Sequence, residues 1–273
     1  MKIKYIFAIL IIPALFSSCL ERDNSEFTDI PVIESYLKPG HCLSLTVSRQ
    51  IPFSSNVRYA SDDINNLTIT ISNNEADYIL EPLGEGRYAD SALIIKGGER
   101  YDLSFVYNSM HVSAYTEVPS KPVNFYKSAY SISVVRMDSS WTPVAGGMFE
   151  MPEPLEISWD NDDDSYYILV VENMEDTLDP VSDFGADEEI PMGRFKKSPT
   201  TASGVRMMPQ EFEYFGTHRL ILFHVLPDYA SLYDRNSTSS QNLTNPSTSI
   251  TNGYGIFTGL NADTLYLEVR ESE

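Results

Sequence analysis

Cysteine is almost absent from this chain, which has two in 273 residues, Cys19 and Cys42. Neither belongs to a Cys/His pattern of the kind that binds zinc. Cys42 begins an alternating run, where neighbouring side chains point to opposite faces of a strand, so His41 is directed away from it. A catalytic thiol needs a nearby base, and we therefore predict that Cys42 is a small strand residue.

Recognisable catalytic motifs are also missing. The sequence contains no G-x-S-x-G, no H-E-x-x-H and no glycine loop of the phosphate-binding type. His218 and His224 are six residues apart, on one face of a predicted strand rich in leucine, which is typical of packing residues. These absences favour a non-catalytic protein. A glycosidase needs only two carboxylates, so a carbohydrate-active enzyme stays an alternative.

Basic residues are few, since 19 lysines and arginines stand against 39 aspartates and glutamates. The resulting formal charge of −20 repels phosphate backbones and anionic lipid headgroups. Nucleic acid is therefore not a predicted partner, and neither is a membrane surface bound through basic patches.

No apolar run reaches the roughly 20 residues that a membrane-spanning helix needs. The apolar stretch Tyr5–Phe16 follows two lysines and ends before Ser17-Ser18-Cys19, which is typical of a bacterial lipoprotein signal. We predict that residues 1–18 are the signal peptide, that Cys19 carries the lipid and that residues 19–30 form a tether. Acyl chains on Cys19 would then hold the protein at the outer membrane, on its periplasmic or its cell-surface side.

Aromatic residues are plentiful, with 17 tyrosines and 13 phenylalanines, and they favour strands. Leu43, Leu45 and Val47 alternate with polar residues at the two-residue period of a half-buried strand. Similar runs recur between short turns up to Pro119, where Pro119-Ser120-Lys121-Pro122 marks a boundary. We predict a mainly β fold of two tandem immunoglobulin- or fibronectin-like β-sandwich domains, 31–119 and 120–273.

The second domain is predicted to be less regular. A short helix is expected over Tyr229–Arg235, followed by two late strands, 254–257 and 265–269. Residues 174–209 contain no convincing element and are predicted to form a long acidic loop. Its densest acidic part, around Asp183, is predicted to be a solvated loop, with a lid or a partner contact as the alternative.

Two groups of residues are candidate binding sites. Asp160, Asp162 and Asp164 have the spacing of the first ligands of a calcium loop, although an acidic turn is the simpler interpretation. Calcium is thus the one candidate cofactor. A second group is aromatic and could stack a sugar or contact a partner, with core packing as the alternative: Tyr229, Tyr233, Tyr254 and Phe257.

Four motifs occur in order along the chain: Val32-Ile33-Glu34-Ser35-Tyr36-Leu37, Gly98-Glu99-Arg100-Tyr101, Leu155-Glu156-Ile157-Ser158-Trp159 and Ile250-Thr251-Asn252-Gly253-Tyr254-Gly255. Together they resemble the outer-membrane lipoproteins grouped as domain of unknown function 4249. The last departs from the family pattern, in which Gly-Leu-Gly is expected. The resemblance implies a setting like that of Sus-type lipoproteins beside TonB-dependent transporters, and it implies no catalytic residues.

We therefore expect a non-catalytic outer-membrane lipoprotein that is a binding or accessory component of a TonB-dependent uptake system. The alternatives are a carbohydrate-active enzyme and a surface adhesion or structural lipoprotein. The enzyme alternative requires a pocket with paired carboxylates about 5 to 10 Å apart beneath residues 174–209.

Overall fold

Strands make up most of the computed structural model, which describes residues 29–50, 62–137, 153–182, 193–233 and 249–272. The predicted mainly β class is confirmed. Cys19 and most of its predicted tether lie outside the described residues, as do Asp183 and the acidic residues that follow it. Within the described part, no helix is both long enough and apolar enough to cross a membrane.

The described residues of the first half, 31–50 and 62–118, form two sheets that pack face to face. Their elements are β1 (Pro31–Leu37), β2 (Cys42–Arg49), α1 (Asp62–Asn65), β3 (Thr70–Ser72), β4 (Asp77–Ile79), β5 (Glu81–Gly84), β6 (Arg87–Ile94), β7 (Arg100–Tyr107) and β8 (Met110–Glu117). One sheet contains β1, β2, β6 and β5, and the other has the order β4-β3-β7-β8. Their inner faces form the first core, as a β-sandwich requires.

The alternating pattern of the sequence correctly predicts which side chains of the long strands are buried in the first core. Leu43, Leu45 and Val47 are buried while the residues between them are exposed. On the facing sheet, Tyr101 and Leu103 of β7 are buried in the same way. Alternate side chains of a strand point to opposite faces, so each of these strands supplies one apolar face to the core.

The second half contains smaller sheets and longer strands. Its elements are β9 (Tyr126–Lys127), β10 (Ser131–Val134), β11 (Leu155–Ser158), β12 (Tyr166–Asn173), β13 (Asp179–Pro180), β14 (Arg194–Lys196), β15 (Gly204–Met207), a 3-10 helix (Pro209–Glu211), β16 (Tyr214–Val225), α2 (Pro227–Ser231) and β17 (Tyr254–Glu271). The sheet of β15, β11 and β9 packs on β12, β16 and β17 across a second core.

Three local predictions are corrected by these elements. Residues 174–209 are not a structureless loop, because β13, β14 and β15 pair with neighbouring strands there. The helix predicted over Tyr229–Arg235 begins two residues earlier, at Pro227, whose fixed φ suits a first helical position. The two late strands are one continuous strand of 18 residues, β17.

Strand β17 belongs to both halves of the molecule. Its first part pairs in parallel with β1, from Val32 opposite Tyr254 to Leu37 opposite Gly259. Its second part pairs with β16 and β10. Phe257 is buried in the first core, whereas Leu267 is buried in the second. A single path of paired strands therefore runs β14-β12-β16-β17-β1-β2-β6-β5 through both halves.

The proline-rich segment 119–122 lies along β16 and β17. The Pro119 carbonyl accepts a hydrogen bond from Asn261 Nδ2 at 3.0 Å, and the Ser120 carbonyl accepts one from His224 Nδ1 at 2.9 Å. Lys121 Nζ lies 2.9 Å from a carboxylate oxygen of Asp263. The division of the chain at residue 119 stays a prediction, and the structure adds that this segment is held by side chains of the second half.

Glycine is required where β17 approaches β1. Gly255 has φ +97°, and a Cβ atom at this position would lie against the carbonyl oxygen of Ile33. At Gly253 a Cβ atom would meet Ile250 Cγ2 at 2.7 Å and Ile33 Cδ1 at 3.0 Å. The two glycines of the Gly-Tyr-Gly motif thus allow the last strand to join the first sheet.

Asp29 is the first residue that the structure describes, and its carboxylate contacts side chains of the first half. Its Oδ2 atom lies 2.6 Å from Arg49 Nη2 and accepts hydrogen bonds from Tyr107 Oη at 2.9 Å and Asn108 Nδ2 at 3.1 Å. Burial, offset in part by the Arg49 hydrogen bond, raises the pKa of Tyr107 to about 12, so this phenol is a donor at neutral pH. The predicted tether therefore ends at a side-chain cluster between β2 and β7.

Candidate functional site

A cavity of about 560 Å³ lies on the outer face of the continuous sheet, at the place where the two halves meet. Its volume falls within the range of about 300 to 1,000 Å³ that is usual for small-molecule sites. Its lining is aromatic, aliphatic and cationic: Tyr36, Lys38, Ile168, Val170, Arg194, Phe195, Lys196, Phe223, Tyr229, Tyr233 and Leu260.

The floor of the cavity follows from the strand register. Ile168 and Val170 of β12 are buried with Leu260 of β17 in a third apolar cluster beneath α2. Lys196 is opposite Val170 in the β12–β14 pair, so both side chains lie on the same face of the sheet. On β1, Leu37 is buried in the first core, and its neighbour Tyr36 therefore lies on the cavity face.

Three tyrosine rings form one wall. The ring of Tyr229 on α2 meets the ring of Tyr36 edge to face, with centroids 5.8 Å apart, and that of Tyr233 at 5.3 Å. The Tyr229 and Tyr233 hydroxyl oxygens are 3.0 Å apart. Asp228, in the first turn of α2, accepts hydrogen bonds from the Tyr229 amide and from Thr258 Oγ1. These contacts hold the wall in place before any ligand binds.

The hydroxyls of Tyr36 and Tyr229 are protonated at neutral pH. Burial, with a further contribution from Glu34, raises the pKa of Tyr36 to about 12. Burial also raises the pKa of Tyr229, and the hydrogen bond with Tyr233 adds to the effect. A phenol with a raised pKa is a hydrogen-bond donor and a poor nucleophile.

Cations complete the lining. Lys38 follows β1, while Arg194 and Lys196 come from β14. Lys196 Nζ lies 3.6 Å from the ring centroid of Tyr233, which is a cation–π distance. The described lining contains no aspartate, glutamate, histidine, serine or cysteine. The described residues of this lining can stack a ring and attract negative charge.

The aromatic residues singled out from the sequence divide into two pairs. Tyr229 and Tyr233 lie together in the cavity wall. Phe257 is 0% exposed in the first core, so the core interpretation is correct for this residue. Tyr254 is half-buried at the start of β17, opposite Val32, and is not part of the cavity lining.

The calcium candidates Asp160, Asp162 and Asp164 lie in the turn between β11 and β12. Among the described residues, no group of three or more His, Cys, Asp or Glu side chains is placed to hold a metal ion. Asp160 Oδ2 accepts a hydrogen bond from Asn124 Nδ2 at 2.7 Å. Asp164 has φ +55°, as in a tight turn. These contacts agree with the acidic-turn interpretation, and calcium binding stays a prediction.

Both histidines of β16 are buried among aromatic rings. His218 packs edge to face on Phe212 at 5.3 Å, and His224 stacks on Tyr167 at 4.7 Å. Burial lowers the pKa of His218, which favours its neutral form. Their predicted role as packing residues agrees with these contacts.

Sequence reasoning missed five residues of the lining that carry its chemistry: Tyr36, Lys38, Arg194, Lys196 and Phe223. One signal was present, because Tyr36 is a large aromatic at an outward position of an alternating strand. For Arg194 and Lys196 the signal was weaker. The sequence shows two cations in an acidic segment, but the face of the sheet on which they lie follows only from the pairing of β14 with β12.

Comparison with known proteins gives no family. No family model matches the chain, and no curated protein matches it. Among solved structures, it is similar to the crystal structure of domains A168–A170 from titin, with 7% identity over 89% of this chain and 68% of that one, at a TM-score of 0.20. The β-sandwich assignment rests on the sheets themselves, and the resemblance to domain of unknown function 4249 stays a prediction.

Proposed function

We propose that this protein is a non-catalytic binding protein, held at the outer membrane by a lipid on Cys19, that takes a small ring-containing ligand into the cavity between its halves. The observation that carries the proposal is the aromatic wall of Tyr36, Tyr229 and Tyr233 around a volume of about 560 Å³. The absence of carboxylates from the described lining supports binding over glycoside hydrolysis, which uses two of them.

The uncharged fluorophore N-phenylnaphthylamine tests the cavity, because it gains fluorescence in apolar sites. We expect saturable binding to the wild type and about tenfold weaker binding to Tyr233→Ala, since stacking on an aromatic contributes roughly 1 to 3 kcal/mol. Val170→Trp places an indole in the floor of the cavity and is expected to abolish binding.

The matched control is Val106→Trp, because Val106 is 59% exposed on β7 and faces away from the first core. Circular dichroism establishes that each variant is folded. Equal fluorophore binding by all variants would overturn the cavity as the binding site.

The resemblance supports a further part of the proposal, that the protein accompanies a TonB-dependent transporter. The full-length wild type is expected in the outer-membrane fraction, and Cys19→Ala in the soluble fraction, because the lipid is the predicted anchor. Crosslinking in native membranes, followed by mass spectrometry, is expected to recover one such transporter in near-equal amount. Recovery of no specific barrel would contradict the accessory role and leave the surface adhesion alternative.

A further inference from the structure

Eight of the fourteen lysines and arginines in the described part of this acidic chain form ion pairs with acids. They are Arg49, Lys96, Arg100, Lys121, Arg136, Lys197, Arg206 and Arg219. Lys38, Arg194 and Lys196 take part in no ion pair with a described residue, and all three line the cavity. Lysine and arginine side chains left together without acids form a local positive site.

The contrast is clearest along β14 and the residue after it. Lys197 forms an ion pair with Glu211, while its neighbour Lys196 lies over the ring of Tyr233. Arg194 is close enough to Tyr229 to act on its hydroxyl electrostatically. Arg194 and Lys196 of β14 therefore lie at the cavity, whereas Lys197 is paired with Glu211, which is not part of the cavity lining.

Nearby acids have other partners. Asp228, in the first turn of α2, accepts hydrogen bonds from the Tyr229 amide and from Thr258 Oγ1. Glu172, opposite Arg194 in the strand pair, binds Arg219 instead. Glu34 lies beside Tyr36 and is absent from the lining. The carboxylates of Asp228 and Glu172 are thus engaged by groups other than Lys38, Arg194 and Lys196.

We propose that the ligand of this cavity is an organic anion, in which a ring stacks on the tyrosine wall and a carboxylate, sulfate or phosphate group binds Lys38, Arg194 and Lys196. This inference depends on the proposed function and names the chemical class of its ligand. A chain of charge −20 repels anions at long range, so an anion site needs concentrated local cations, as found here. Guanidinium and ammonium donors form the strongest hydrogen bonds to such groups.

Two fluorophores with one skeleton test the charge of the ligand. Anilinonaphthalene sulfonate is N-phenylnaphthylamine with an added sulfonate. We expect Arg194→Met and Lys196→Met each to lower the affinity for the sulfonate about tenfold relative to the affinity for the neutral compound, the usual effect of losing a charged hydrogen bond. The matched control Arg270→Met removes an exposed cation of β17 outside the cavity lining and is expected to change neither.

The outcomes separate this inference from the proposed function. If both fluorophores bind in the cavity and the cation variants leave the sulfonate unaffected, the anionic class is overturned and the cavity function stands. If Val170→Trp weakens the binding of neither fluorophore, or if neither fluorophore binds to the wild type, the proposed cavity function is contradicted as well. Competition separates the sources of the anion: glucuronate against glucose tests a sugar acid, and benzoate against benzamide an aromatic acid. Stronger displacement by an acid than by its neutral partner supports the inference, and equal displacement overturns it.

Discussion

Gly255→Ala is expected to destabilise the protein by about 3 to 5 kcal/mol, because alanine is strained at φ +97° and its Cβ would meet the carbonyl oxygen of Ile33. The clash lies within the pairing of β1 with β17, so it cannot be relieved without separating the first strand from the last. Urea unfolding followed by circular dichroism measures the change in the free energy of unfolding.

Gly98→Ala is the matched control for this prediction. Gly98 also has a positive φ, +77°, and a Cβ atom there would have no neighbour within 4 Å. Its substitution therefore contributes backbone strain alone, about 1 kcal/mol. If Gly255→Ala and Gly98→Ala lowered the free energy of unfolding equally, the close approach of β17 to β1 would not be the cause of the destabilisation.

Phe257→Ala is expected to cost about 3 to 5 kcal/mol, since it empties the space of a fully buried ring in the first core. The effect is expected to reach the second core, because both cores share β17. Trp159, buried in the second core, reports on this by its fluorescence in a Trp141→Phe background. In Phe257→Ala, we expect the unfolding midpoint from Trp159 fluorescence to fall together with the midpoint from circular dichroism.

Tyr266→Ala is the control on the same strand, since Tyr266 is 57% exposed and its loss leaves both cores filled. We expect it to change the free energy of unfolding by less than about 1 kcal/mol. Loss of ellipticity at lower urea in Phe257→Ala, with an unchanged Trp159 midpoint, would contradict coupling between the halves.

The first sandwich could be predicted from the sequence because each of its long strands carries one apolar and one polar face. The period of two at Leu43, Leu45 and Val47 states which side chains enter the core. The course of β17 could not be predicted in this way. Residues 256–260 are all buried, so the alternation ends at the point where the strand passes between the two cores.

Only part of the cavity could be predicted, for a related reason. Tyr229 and Tyr233 are four residues apart on a short helix, a local relation that the sequence shows. Their meeting with Tyr36 depends on the pairing of β1 with β17, which joins residues more than 200 positions apart. Lys196 reaches the same site through the pairing of β14 with β12. Such long-range pairings bring the lining residues together, and they produce no repeating pattern of residue types from which the site could be predicted.

The position of β17 also has a consequence for biosynthesis. β17 is synthesised more than 200 residues after β1, the strand with which it pairs in parallel. Until β17 has been made, β1 has an open edge, which is a surface that can pair with other chains. The first sheet can therefore be completed only by a contact between distant parts of the chain, which is slow to form and exposes this edge to aggregation in the meantime.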